Sequence, residues 1–243
     1  MQRLCYALAF ALAVIPALAS ALAPTSTQGD TLTELIDVIE ERHYASRRYD
    51  DALSAQHFVA YIDALDPQRM FFDAADITEL SSWKLELDNA GRRGNLDPAF
   101  TIFNRYHEKL KGRLENTLAT LPQTLKGFDY ELEEYLVIDR STVPWSPNAE
   151  ELDERWRKRL KNQALSLLLV DKPADGIPDT LKRRYQNQLN RLDQYNAQDV
   201  FQIYANTLAE QYDPHTNYLS PRRAENFDIN MSLSFDGIGA MLQ

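Results

Sequence analysis

The sequence predicts a mainly α-helical protein, and three observations lead to that prediction. Only eight of its 243 residues are glycine. Long stretches place apolar residues three and four positions apart, which is the spacing of one helix face. Residues that favour helix N-termini, such as Asn148 and Asn196, stand directly before several of these stretches. We therefore expect a multi-helix domain over residues 24–228, without a low-complexity linker inside it.

The first residues have the pattern of a signal peptide. Arg3 supplies positive charge, residues 4–18 form an apolar run, and small residues then offer A-x-A cleavage sites. The run is too short for a comfortable membrane span. We expect residues 1–21 to be this signal, with cleavage somewhere in 19–23 and export of the mature chain. The alternative is an uncleaved anchor.

Cysteine content and charge narrow the function classes. Cys5 is the only cysteine and lies within the predicted signal, so the mature chain would have no disulfide, thiolate metal site or cysteine nucleophile. The formal net charge of −10 disfavours binding to nucleic acid or to anionic lipid. We expect neither a cofactor nor a metal.

Four helices are predicted in the first half of the chain. The third is expected to end near Gly91 or Gly94, and the fourth by Pro122, since proline has no amide hydrogen to continue a helix. The predicted N-terminal caps are, in chain order, Thr31 with Glu34, Asp51 with Ser54, Asp73, and Asp97 with Pro98.

Three further helices are predicted after residues 123–146, a less regular stretch that forms a short helix or a packed loop. The first would run through Val170 and carry Trp156 on its apolar stripe. The predicted starts are Asn148 with Glu151, Asp179, and Asn196 with Asp199.

Two Asp-Pro corners form a weak internal repeat. In residues 65–73, Leu-Asp-Pro is followed after three residues by Phe-Phe-Asp, and in residues 212–220, Tyr-Asp-Pro is followed after three by Tyr-Leu-Ser. The residue before proline is disfavoured in a helix, so the preceding helix should end there. Asp73 and Ser220 would then cap the next helix. A structural role as rigid corners suffices, including for His215.

Motifs for catalysis are weak in this sequence. The four histidines lack metal-ligand spacing, and there is no G-x-S-x-G or H-E-x-x-H motif. Residues 81–84 match S-x-x-K, but nearby acidic residues would keep Lys84 charged and unsuited to act as a base. Asp73 and Asp76 are interpreted as first-turn caps rather than as an acid–base pair. We assign no catalytic residue.

A basic run at residues 155–161 surrounds Trp156 and follows four acidic residues. Nucleic-acid binding is one interpretation of such a run. Acidic residues followed by basic ones on one helix favour a solvated face with i,i+4 ion pairs instead.

The last residues predict the start of a β-containing domain over 229–243. Leu233 and Phe235 alternate with serines, as in a strand, and lead into Gly237, Ile238, Gly239 and Ala240. Glycines allow successive amides to converge on an anion, so these four residues could hold a peptide carboxylate beside a strand edge. The alternative is an ordinary strand start.

The mature chain resembles the N-terminal part of the carboxy-terminal processing, or tail-specific, proteases. Its most specific parts are Asp-Pro-His-Thr-Asn-Tyr-Leu-Ser-Pro at residues 213–221 and Gly-Ile-Gly-Ala at residues 237–240. The other stretches that carry the likeness are residues 61–67, 70–72, 76–77, 143–145, 156–162 and 231–234.

This resemblance implies a helical N-terminal domain, then a PDZ domain that recognises apolar C-terminal tails of substrate proteins, then a core with a serine–lysine dyad. It implies a periplasmic location, a lipoprotein adaptor as a further partner, and carboxylate binding by Gly237, Ile238, Gly239 and Ala240. The dyad would lie beyond Gln243, so we expect the chain to stop at the first strand of an incomplete PDZ domain and to lack the catalytic core. The alternative is a stand-alone helical protein-binding or scaffold module.

Overall fold

A computed structural model describes residues 21–170 and 173–232 of the chain. These residues are mainly helical, as predicted, and apart from one isolated bridge between Asp73 and Ser146 they contain no strand. The helices are α1 (Ser26–Arg42), α2 (Asp51–Leu65), α3 (Ala74–Leu80), α4 (Leu87–Arg92), α5 (Asp97–Lys126), α6 (Ala149–Leu169), α7 (Ile177–Leu192), α8 (Ala197–Ala209) and α9 (Pro221–Ser232). None of the helices in these ranges is long and apolar enough to cross a bilayer.

Three predicted caps are confirmed. The Asp73 side chain accepts hydrogen bonds from the amides of Ala75 and Asp76 at the start of α3. In turn, the Asp76 side chain accepts one from the amide of Asp73. Asn196 and Asp199 form the same reciprocal pair at the start of α8. At the start of α6, the side chain of Asn148 accepts a hydrogen bond from the amide of Glu151. Each interaction spans at most three residues, so the local sequence suffices to specify it.

Other predicted starts were wrong by one to six residues. Thr25, rather than Thr31, caps α1 and forms a reciprocal pair with Gln28. Asp50 caps α2, and Leu96 is the N-cap residue of α5 without a side-chain cap. Asp179 lies inside α7, which begins at Ile177. Each of these helices starts earlier than predicted, and the exact first residue of a helix is poorly resolved by local signals.

The predicted third helix is interrupted after Leu80. The hydroxyl of Ser81 donates to the carbonyl of Ile77, and a short 3₁₀ turn follows. Ser54 of α2 donates to the carbonyl of Lys84 and accepts from the amide of Leu87, both at 3.0 Å. Ser54, which we predicted to help cap α2, therefore bonds the interrupted segment to α2 instead.

The prediction that the fourth helix stops by Pro122 was wrong. The proline lies inside α5, which continues to Lys126. Its neighbour Leu121 is only 1% exposed and packs between α5, α6 and α7. Burial of apolar area there offsets the single backbone hydrogen bond that a proline removes.

The buried apolar side chains of the described residues form two clusters. The first lies between α1, α2, α4, α8 and the first half of α5, and includes Tyr61, Phe103 and Tyr204. The second lies between the second half of α5, α6 and α7, and includes Trp156 and Tyr185. Helix α5 contributes to both and so forms the common spine.

The irregular stretch between α5 and α6 is a packed loop, one of the two forms predicted for it. The Nζ atom of Lys161 on α6 donates to the carbonyl of Leu132 at 3.2 Å. Glu134 in the loop forms ion pairs with both Arg157 and Lys161. At its end, the amide of Ala74 donates to the carbonyl of Ser146 at 2.8 Å. The loop is therefore held against α6 and α3.

Candidate functional site

The predicted carboxylate-binding residues Gly237, Ile238, Gly239 and Ala240 lie outside the described residues. So do Leu233 and Phe235 of the predicted strand. Ser232, the residue before them, is the last residue of α9. Carboxylate binding at these four positions stays a prediction.

The Asp213 corner, residues 213–220, joins α8 to α9 and is anchored on two helices. The amide of Tyr218 donates to Oδ1 of Asn206 on α8 at 2.7 Å, and the Tyr218 ring packs edge-on against Phe201 at 5.2 Å. On the other side, Oγ1 of Thr216 lies 3.2 Å from Nε2 of His43, at the end of α1. The chain therefore leaves the helices at a fixed point.

The Asp66 corner, residues 66–72, is more deeply buried than the Asp213 corner. The Asp66 carboxylate is fully buried and accepts hydrogen bonds from the amides of Met70, Phe71 and Phe72 at 2.8–3.0 Å. Met70 belongs to the second apolar cluster and Phe72 to the first. Hydrogen bonds hold both corners, but of the two only the Asp66 corner has residues in both cores.

None of the sequence motifs tested for catalysis gains support from the geometry. The hydroxyls of Ser81 and Ser82 each donate to a backbone carbonyl, and Lys84 is exposed. Asp73 and Asp76 pair with each other's amides and with Lys109. Within the described ranges, no group of three His, Cys, Asp or Glu side chains could hold a metal ion.

His57 is a structural histidine of the core. Its ring is fully buried, with Nε2 at 3.1 Å from the carbonyl oxygen of Tyr204 and Nδ1 at 2.7 Å from the hydroxyl of Tyr49. A carbonyl can only accept, so Nε2 carries the hydrogen and Tyr49 donates to Nδ1. Burial lowers the pKa of His57 to about 3. The ring is neutral and enclosed, which excludes contact with a substrate.

The basic run on α6 forms ion pairs with the acidic residues before it, one at the predicted i,i+4 spacing and one at i,i+3. Arg155 pairs with Glu151 at 2.6 Å, and Arg157 with Glu154 at 2.6 Å. Trp156 is buried, as predicted, and its Nε1 donates to the carbonyl of Met70. The nucleic-acid interpretation gains nothing from this arrangement, because Arg155, Arg157 and Lys161 each have an acidic partner.

One concave region has features that the sequence did not indicate. The loop cleft, of about 540 Å³, lies between α6 and the loop that precedes it. Its apolar wall includes Tyr135, Val137 and Ile138, which are 83%, 50% and 76% exposed. Its charged lining consists of Arg140, Arg155, Lys158 and Arg159 against Glu151 and Glu154. The cleft thus has an excess of positive charge, although the whole chain carries −10.

Arg140 is the unusual member of this lining. It is only 7% exposed, and its Nε and Nη2 have no hydrogen-bond partner among residues 21–170 and 173–232. Burial, and then the charge of Arg155, lower the pKa of Arg140. Sequence reasoning missed this residue, since an isolated arginine in an irregular stretch gives no periodic signal. Its position directly after the apolar residues 135–138 was the available clue.

Comparison with known proteins places the chain in a family. Residues 35–222 match the family described as the tail specific protease N-terminal domain. The chain is also 35% identical over 206 residues to the tail-specific protease of Haemophilus influenzae, an alignment that covers 84% of this chain and 29% of that protein. The match to the family ends at residue 222, just beyond the Asp213 corner and the start of α9. The chain belongs to the tail-specific protease N-terminal domain family.

Proposed function

We propose that this chain is the helical N-terminal domain of a periplasmic tail-specific serine endopeptidase that recognises apolar C-terminal tails of substrate proteins. The observation that carries the proposal is the family match over residues 35–222. The chain spans 29% of the length of the relative it matches, so the peptidase activity is inferred for the whole enzyme. The residues for catalysis are expected to lie outside this sequence.

The role proposed for the domain itself is to support and orient the segment that follows it. Tyr218 and Thr216 fix the Asp213 corner against α8 and α1, which gives the chain after Ser220 a defined origin. We infer that Gly237, Ile238, Gly239 and Ala240, beyond α9, begin a PDZ domain that receives the carboxylate of the substrate tail. Helix packing around α5 makes this support rigid.

The activity can be tested on the polypeptide encoded when the reading frame is followed past Gln243. We expect it to encode a PDZ domain and a serine- and lysine-containing core. It should cleave an unfolded reporter with an apolar C-terminal tail much faster than the same reporter ending in charged residues. The 243-residue chain should cleave neither. Cleavage by the chain alone, or a continuation without these parts, would contradict the proposal.

The periplasmic location has a separate test. The chain would be produced with its own first residues in a bacterium, and the periplasmic and cytoplasmic fractions compared. Mass spectrometry should find a mature N-terminus at Ser20 or Leu22 in the periplasmic fraction. An intact chain confined to the cytoplasm would show that the first residues do not act as an export signal.

A second candidate function is a stand-alone helical protein-binding or scaffold module. The loop cleft favours it, because exposed apolar side chains there lie beside a buried, unpartnered arginine. This candidate predicts a partner that binds the chain in cells lacking any tail-specific protease. Partners on the helical domain, including a lipoprotein adaptor, are compatible with both candidates.

A further inference from the structure

The loop cleft contains a buried cation without a counter-ion. The Nε and Nη2 atoms of Arg140 are almost fully enclosed and bond to nothing in the described part of the chain. A buried guanidinium without hydrogen bonds is costly, because it has lost its water without gaining an acceptor. The large majority of buried polar side-chain atoms in native proteins have a hydrogen-bond partner, so these two nitrogens call for an acceptor from outside the described residues.

Two arginines near Arg140 also have buried nitrogens that lack a hydrogen-bond acceptor. Nη1 of Arg155 and Nε of Arg69 are also buried without partners. The negative charges of Glu151 and Asp66 act against burial and raise the pKa of Arg140. However, Glu151 already pairs with Nη2 of Arg155 at 2.6 Å, and Asp66 is occupied by three amides. The cluster can therefore accept one more carboxylate without displacing an existing pair.

The backbone beside this cluster is also unpaired. Between Glu133 and Asp139, no amide or carbonyl makes a hydrogen bond within the described ranges, and residues 133–137 run without helix, turn or bend. Such a segment resembles a free strand edge and can pair with another extended chain. Tyr135, Val137 and Ile138 offer that chain apolar contacts.

We propose that the loop cleft binds an extended segment of a partner protein, which pairs with the backbone of residues 133–139 and places an internal Asp or Glu side chain against Arg140 and Arg155. Apolar residues next to that acidic residue would cover Tyr135 and Ile138. This site lies on the helical domain and differs from the predicted tail site at Gly237–Ala240. It does not depend on the proposed peptidase activity.

An acidic side chain suits the geometry better than a terminal carboxylate. The unpartnered nitrogens of Arg140 have almost no exposed surface. A carboxylate must therefore reach inward from a backbone that stays paired along the loop. An Asp or Glu side chain extends out of a paired strand, whereas a terminal carboxylate lies in line with its backbone. The cleft volume of about 540 Å³ is within the range of sites that hold a short peptide or a drug-sized ligand.

The test starts with the full chain and a display library of random nonapeptides joined to carrier residues at both ends, so that no terminal carboxylate is free. We expect selected sequences with one Asp or Glu flanked by Val, Ile, Leu or Tyr. A selected peptide, made with acetyl and amide ends, should bind about tenfold or more weakly after its acidic residue is changed to the amide. Arg140→Gln in the protein should cause a similar loss.

Two matched variants make the result specific. Arg93→Gln alters the net charge equally at an exposed position of α4's C-terminal end, and should leave binding unchanged. Ile138→Ser removes an exposed side chain, so it should weaken binding severalfold while the fold, checked by circular dichroism, is kept. Failure to select any peptide, binding by the Arg140→Gln or Ile138→Ser variant as tight as by the unchanged chain, or binding only of peptides with a free C-terminus would each overturn the proposal.

Discussion

Nε1 of Trp156 donates a hydrogen bond of 2.7 Å to the carbonyl oxygen of Met70, and both groups are buried. The bond joins the middle of α6 to the Asp66 corner, 86 residues earlier in the chain. The guanidinium of Arg159 covers one face of the Trp156 indole and lies 5.2 Å from the centre of the ring. Both residues belong to the second apolar cluster, whereas Phe72, two residues after Met70, belongs to the first, so the bond anchors the corner that connects the two cores.

Replacing Trp156 with phenylalanine should therefore destabilise the protein. The change leaves the Met70 carbonyl buried without a donor and removes part of a large apolar side chain, with an expected cost of about 2–4 kcal/mol. Urea unfolding followed by circular dichroism measures it. Trp83→Phe is the matched control, because the Trp83 indole makes no hydrogen bond in the described part of the chain and is partly exposed. Equal losses in both variants would show that the bond to Met70 contributes nothing.

Asp66→Ala should be among the most damaging single changes in the chain. It leaves the amides of Met70, Phe71 and Phe72 without their acceptor, at an expected cost of about 3 kcal/mol or more. The corresponding Asp213→Ala change removes bonds at a partly exposed corner and should destabilise the protein much less than Asp66→Ala. Thermal and urea unfolding of the two variants compare the corners directly. A larger loss for Asp213→Ala would contradict the assignment of Asp66 as the link between the cores.

Two glycine positions should respond in opposite directions to alanine. A Cβ atom on Gly29 would lie 2.4 Å from the carbonyl oxygen of Gly94, whose own φ of +65° disfavours other residues. Helix α1 and the turn after α4 thus meet backbone to backbone, and Gly29→Ala should destabilise the fold by about 1–3 kcal/mol. Gly112 lies in α5 with open space around it, so Gly112→Ala should stabilise the fold by about 0.5–1 kcal/mol. Melting temperatures that rise in both variants would disprove the close approach.

The core histidine should make stability depend on pH. Burial lowers the pKa of His57 from 6.5 to about 3, so the unfolded state binds a proton that the folded state refuses. Stability from this group is fully present above pH 6.5 and is lost as the pH falls towards 3. The loss should reach about 2 kcal/mol by pH 5.

The contribution of His57 can be isolated with two variants. His57→Gln should remove this part of the pH dependence, measured as the change in urea-unfolding free energy between pH 7 and pH 5. Tyr49→Phe removes the hydroxyl that donates to Nδ1 but keeps the imidazole. It should lower stability at both pH values and retain the slope. An unchanged slope in His57→Gln would assign the pH dependence to other groups.

Several features of the fold follow from neighbouring residues alone. The reciprocal caps of Asp73 with Asp76 and Asn196 with Asp199 need only four consecutive residues. The apolar stripe that buries Trp156 repeats with the period of the helix. The sequence by itself therefore determined the helical class, these helix starts and the face that α6 turns to the core. The likeness to tail-specific proteases was also readable from it, because the motifs stand in a fixed order.

Other features were decided by contacts between distant residues. The hydroxyl of Ser54 fixes the interruption before Leu87, and Leu121 is buried deeply enough for α5 to continue past Pro122. Arg140 is a buried cation in a loop that Glu134 holds against α6. Local propensities differ by about 1 kcal/mol or less per residue, whereas burial of one large apolar side chain contributes about 1.5–3 kcal/mol. Tertiary packing therefore overrides local signals where the two conflict, and it alone placed the unpartnered arginine beside an open backbone edge.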